Sequence, residues 1–132
     1  MSTIVFTLVL DVRWRDMDAF DHVNNASYLG YVEEARVRWF KSLTEDWAGA
    51  AAAPIMAAVT VNYRRPLNWP ETLRIELIAE RAGNKSLTLG HRISAASDPA
   101  LLYCDGHTVL VWVNHEGQSV PLPETVRAAC AA

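Results

Sequence analysis

The decapeptide 16-DMDAFDHVNN-25 holds three aspartates, one histidine and two asparagines, set between an apolar alternating segment and one of helical period. Residues of these types at this spacing suit three chemistries. In the first, Asp18, Asp21, Asn24 and Asn25 satisfy loop backbone groups and cap a helix that starts near residue 26, as Asp and Asn do at turns and helix N-termini. In the second, Asp16, Asp18 and His22 offer oxygen and nitrogen ligands to a metal ion, although the turn has no cysteine pair, no HExxH and no second histidine nearby. In the third, a carboxylate just before a helix N-terminus stands beside unpaired backbone N–H groups, so that a base and an anion-stabilising pocket adjoin. Hydrolysis of an ester or thioester needs that combination.

The usual alternative nucleophiles are poorly placed. No G-x-S-x-G elbow occurs, Cys104 lies inside a strand pattern, and Cys130 is close to the C-terminus. A carboxylate-driven hydrolase stays open where a serine or cysteine hydrolase does not.

The elements that must hold this turn follow from periodicity. Over residues 3–14, Ile4, Phe6, Leu8, Leu10, Val12 and Trp14 alternate with Thr3, Thr7, Asp11 and Arg13, which predicts a half-buried strand. In 27-SYLGYVEEARVRWFKSL-43, Tyr28, Tyr31, Val32, Ala35 and Trp39 recur at helical steps, and Leu29, Phe40 and Leu43 widen the apolar surface until the helix needs wrapping by other structure. Glu34 and Arg38 pair on its outer side. The alanine-rich 44–54 reads as a loop or short helical extension. Strands are expected over 55–67, 72–80, 86–94 and 101–114, with a hairpin at Gly83-Asn84, a break at Asp98-Pro99 and a turn at Asn114-His115-Glu116-Gly117. Residues 121–132 form an edge segment or short helix. One strand, one long helix and four strands joined by short turns predict an α+β fold with an antiparallel sheet, whose open edges favour a symmetric oligomer.

Composition narrows the function. With 132 residues, 51% of them hydrophobic, the chain suffices for one domain, 1–132, with its own core. A net charge of −3 gives no reason to expect nucleic acid. No apolar run nears the roughly 20 residues of a membrane span, the N-terminal segment lacks the basic flank of a signal peptide, and two cysteines make no disulfide framework. A cytoplasmic protein with reduced thiols is expected.

The run 13-RWRDMDAFDHVNNASYLGYVEEARVRWF-40 resembles the 4-hydroxybenzoyl-CoA thioesterase and acyl-CoA thioesterase branch of the hotdog-fold superfamily, matching its D-x-D-x-x-x-H-V-N-N-x-x-Y-x-x-Y-x-E-x-A-R pattern. Weaker similarity continues through 59–78, 86–93 and 108–123. The resemblance implies a curved antiparallel sheet wrapped around one long central helix, and cleavage of an acyl-CoA, fatty or aromatic, to free acid and coenzyme A. It makes Asp18 the catalytic carboxylate, as base or nucleophile, and the backbone N–H of Asn25 the oxyanion contact. His22 joins the catalytic set by positioning the loop, Asn24 and Tyr28 fall on the substrate side, Glu33 matches the motif, and Asp16 braces the turn.

Where many members carry glycine this chain has Asp21, which tolerates positive φ and adds a second carboxylate near Asp18. Asn68-Trp69-Pro70-Glu71 replaces a common Gly-Asp turn. Arg64, Arg65, Lys85 and Arg92 are the basic side chains available to the coenzyme A phosphates. Trp39, Phe40 and Met56 would set the depth of the acyl pocket. No cofactor or metal is implied, coenzyme A being part of the substrate, and a homodimer or homotetramer is expected. Two rivals remain: a hotdog hydratase or dehydratase using His22, His91 or His107 with a carboxylate, and a non-catalytic acyl-CoA binding protein.

Overall fold

Alternation and period decide where each element forms, and bulges decide which residues it buries. In the computed structural model, which describes residues 3–44 and 51–131, strand β1 (Thr3–Asp11) is followed by a single 3-10 turn at Trp14–Asp16. Helix α1 (Asn25–Leu43) comes next, then β2 (Ala53–Tyr63), β3 (Thr72–Ala82), β4 (Ser86–Ala95), β5 (Asp98–Val113) and helix α2 (Glu124–Ala131). The five strands form one antiparallel sheet in the order β1-β3-β4-β5-β2, leaving β1 and β2 at its edges.

One face of the sheet carries the core. Leu73, Ile75, Leu77 and Ala79 of β3 lie opposite Ala95, Ile93, His91 and Leu89 of β4, and all are buried. Cys104, Thr108, Leu110 and Trp112 continue that layer onto β5. Tyr28, Tyr31, Val32, Ala35, Trp39 and Phe40 of α1 are the buried helix residues, and Phe40 meets Trp112 edge-on with ring centroids 5.8 Å apart. On the other face stand the pairs Arg92–Glu76 and Arg64–Asp105. The expected sheet with one long helix against it is present.

Several boundaries are corrected. β1 ends at Asp11, and Trp14, expected on its buried face, is 72% exposed because the chain has already turned. A register shift between Ile4 and Phe6 inserts Val5, so Ile4 points outward too. β2 spans Ala53–Tyr63 rather than 55–67; in the segment expected as a loop or helical extension, residues 45–50 lie outside the described residues and Ala53-Pro54 is already strand. Asp98-Pro99 does not close β4 but opens β5, within a register irregularity that spares proline a ladder hydrogen bond. The C-terminal segment forms the short helix α2.

Candidate active site

The polar turn is built by its own side chains. Asp18 N–H donates to the carbonyl of His22 at 2.9 Å, Asp21 N–H donates to the carbonyl of Asp18, and Met17 bridges to Val23, closing a tight loop. Asp21 sits at φ 60°, the left-handed conformation that glycine adopts freely and aspartate tolerates. Asn68 Nδ2 donates to the Asp21 carbonyl and ties the β2–β3 connection to the loop.

The two carboxylates of the D-x-D point different ways. Asp16 is buried and accepts from Tyr31 Oη at 2.7 Å and from Arg13 N–H at 3.0 Å, the bracing role its position implied. Asp18 is on the surface side: Oδ1 accepts from Phe20 N–H at 2.9 Å and Oδ2 from Asn24 Nδ2 at 3.4 Å. Asp16, Asp18 and His22 therefore do not converge on one point.

Asn24 is the helix cap, its Oδ1 accepting from Ala26 N–H at 2.8 Å. The next residue, Asn25, is the first of α1, and among the described residues its N–H has no hydrogen-bond acceptor. Its carbonyl accepts from Tyr63 Oη at 3.0 Å. Asp18 accepts from the side chain of the cap residue Asn24, and the residue after that cap, Asn25, carries the free helix N-terminal N–H.

This end of the helix borders an open cavity of about 330 Å³ lined by His22, Val23, Asn25, Tyr28, Tyr63, Arg64, Arg65 and Pro66. Tyr28 forms its inner wall, packed edge-on against Tyr63 at 5.0 Å, and burial pushes its phenol up to about 12. Arg64 pairs with Asp105 at 3.0 Å and, with Asn62, holds that carboxyl below its usual value against the opposing effect of burial. Arg65 donates no side-chain hydrogen bond among the described residues.

Other sequence candidates lie elsewhere. Lys85 is in the β3–β4 hairpin beside Trp112, at the opposite end of β5 from Cys104 and Tyr63, roughly 26 Å away along the strands. Arg92 is on the outer face, 3.7 Å from Glu76 and opposite Asp105, which puts it beside the Arg64–Asp105 pair although it does not line the cavity. Tyr63 was not among the sequence candidates; its alternation with Val61 and Val59 marks a strand residue but carries no chemical signal. Of the histidines of the hydratase reading, His91 and His107 line one open cavity of about 300 Å³ with Glu80 and Asp105, His107 Nδ1 standing 3.9 Å from Glu80, whereas His22 lines the cavity at the start of α1.

Residues 12–130 match the Thioesterase-like superfamily, and the chain belongs to it. Its structure superposes on the PA2801 protein of Pseudomonas aeruginosa with a TM-score of 0.91 at 44% identity, covering 96% of this chain and 98% of that one. A thioesterase from Thermus thermophilus, solved with coenzyme A and Zn, gives a TM-score of 0.84 at 32% identity over 98% of this chain and 100% of that one. In sequence, the long-chain acyl-CoA thioesterase FadM of Escherichia coli is 34% identical over 89 residues, which is 64% of this chain and 66% of FadM. The chain spans 54% and 66% of the lengths of the two curated relatives it matches.

Proposed function

We propose that this protein hydrolyses acyl-CoA thioesters to the free acid and coenzyme A. The observation that carries the reading is the start of α1: Asn25, whose N–H is unengaged, lines a cavity with a basic mouth, and the preceding residue, Asn24, holds the carboxylate of Asp18. The thioester carbonyl oxygen accepts from Asn25 N–H, a bond that strengthens as negative charge develops there. Asp18 either takes a proton from the attacking water or attacks the carbonyl itself. In both routes the C–S bond breaks, water supplies the hydroxyl of the acid, and a proton reaches the departing thiolate.

His22 keeps the loop closed through its carbonyl, and Asn24 holds both the helix start and the Asp18 carboxylate. Arg64 and Arg65 face the coenzyme A phosphates at the cavity mouth. Lys85 is too far along the sheet to join them within one chain and reaches phosphate only across subunits, whereas Arg92, opposite Asp105 on the outer face, stands beside Arg64. Edge strand β2 exposes Ile55, Met56 and Tyr63, which supports a homodimer formed along that edge. Coenzyme A enters as substrate, with no further cofactor. No helix among the described residues is long and apolar enough to cross a membrane, and two free cysteines agree with action in the cytoplasm.

The test is thiol release from a panel of acyl-CoAs, short to long chain plus benzoyl and phenylacetyl, by wild type and Asp18→Asn. Loss of roughly 10²- to 10⁴-fold in the variant is expected; a variant retaining a tenth of wild-type turnover removes Asp18 from the reaction. Trapping with hydroxylamine separates the routes, since only the attacking carboxylate passes through an anhydride.

A further inference from the structure

Between α1 and edge strand β2 there is a second opening, separate from the Asn25 cavity. This second opening, about 110 Å³, is lined by Val32, Glu33 and Arg36 of α1, Met56 and Val59 of β2, and Thr108 of β5. Apolar walls suit an acyl chain. The polar groups at its floor do not suit a methyl end.

Thr108 is 1% exposed, and its Oγ1 has no hydrogen-bond partner among the described residues. His91 is equally buried, with neither ring nitrogen partnered. Strand pairing sets both on the α1-facing side: Thr108 lies opposite Leu89 and Val59, and His91 lies opposite Leu77 and Gly106. Gly106 has no side chain, which leaves room for the imidazole; a Cβ there would stand 3.0 Å from Nε2.

Above this patch the Arg36 side chain is only 12% exposed, and among the described residues its one ion pair is a loose 3.8 Å contact to Glu33, whose own side chain is 67% exposed. Burial holds the Arg36 guanidinium below its usual range, with Glu33 opposing. Burial also lowers His91 to about 4, helped by the nearby charges of His107 and Arg36 and opposed by Asp105. His91 is therefore neutral, with one N–H to give. A guanidinium, a hydroxyl and an imidazole N–H form a predominantly donor set, and buried donors left unmet are costly.

We propose that Arg36 and Thr108, backed by His91, bind a carboxylate at the far end of the acyl group, making monothioesters of medium-length dicarboxylic acids the preferred substrates. The proposal rests on the hydrolase reading above. Arg36 lies roughly 16 Å along α1 from Asn25 at about 1.5 Å per residue. Its side chain leans back toward the helix start, which shortens the reach to that of a medium acyl chain. Met56 and Val59 cover the methylenes between.

The experiment compares suberyl-CoA with octanoyl-CoA, and adipoyl-CoA with hexanoyl-CoA, by thiol release from wild type, Thr108→Val and Arg36→Gln. Wild type is expected to favour suberyl-CoA over octanoyl-CoA by about 10-fold or more in kcat/KM, and each variant to reduce that ratio about 10-fold. The ratio within one sample is independent of its active fraction, so partial misfolding of a variant does not alter it. Equal or greater rates on the methyl-terminated substrates, or an unchanged ratio in both variants, overturn the subsite and leave the hydrolase reading standing. Absence of thiol release from every thioester overturns both.

Discussion

Tyr31 Oη donates to Asp16 Oδ2 at 2.7 Å, and this bond joins the second turn of α1 to the loop that precedes it. Because Asp16 is only 8% exposed and also accepts from Arg13 N–H, the loop is anchored from inside, while Asp18 is half-buried and bonded to its own turn. Burial, then the hydrogen bond to Asp16, push the Tyr31 phenol above its ordinary range, so it acts as a donor at every working pH. The brace and the carboxylate proposed to react are thus two residues apart.

Tyr31→Phe leaves a buried carboxylate oxygen short of a donor. Urea unfolding should show a loss of about 1–3 kcal/mol. Turnover per folded molecule should stay within about threefold, because Asp18 keeps its bonds to Phe20 and Asn24. Turnover falling as far as in Asp18→Asn would mean that Asp16 belongs to the chemistry.

Asn25→Pro removes one amide proton from the site at little structural expense. Proline is favoured at the first helical position, and Asn24, at φ −59° and ψ 139°, already has the extended conformation required before proline. Expected is a fold of near-wild-type stability with kcat reduced about 10²- to 10³-fold, against near-normal turnover in Asn25→Ala. Full activity in the proline variant would place the oxyanion contact elsewhere.

His91 makes stability depend on pH. Its value falls from 6.5 in the unfolded chain to about 4 in the fold, so between those values the unfolded chain binds the extra proton. Stability is fully present above about 6.5 and declines as pH falls toward about 4, by up to roughly 3 kcal/mol. Denaturant titrations at pH 7 and 4.5 should show a smaller acid loss in His91→Leu than in wild type; an identical acid loss would mean that His91 is not the group responsible.

Gly106→Ala should be the most damaging single methyl in the sheet. A Cβ there would lie 1.9 Å from the Thr60 carbonyl oxygen, which only separation of β2 from β5 relieves. Thermal unfolding should show a loss beyond about 3 kcal/mol. Gly30→Ala is the control, with no atom within 4 Å of the added carbon and a gain of up to about 1 kcal/mol expected from helix propensity.

Element order, the helix cap, the positive φ at Asp21 and the inward face of α1 were all legible in the sequence, because each is set by residues within a turn or two of one another. The D-x-D to A-R pattern was legible for the same reason: its members lie on one loop and the helix that loop starts. The outward turn of Ile4 was not, since one inserted residue in β1 inverts the face and only pairing with β3 reveals it. Lys85 and Arg64 looked equivalent as basic residues near strand ends, yet β5 holds them at opposite ends of the sheet.

By itself, then, the sequence determined the elements, the superfamily and the polar turn, through hydrogen bonding and periodicity that act over short separations. The tertiary structure alone decided that Arg36 and Thr108 line one opening, with His91 on the strand next to that of Thr108, and that Tyr63 meets the carbonyl of Asn25. Those meetings depend on strand register and on the packing of α1 across the sheet. Many distant contacts fix both together, and no local stretch of chain encodes them.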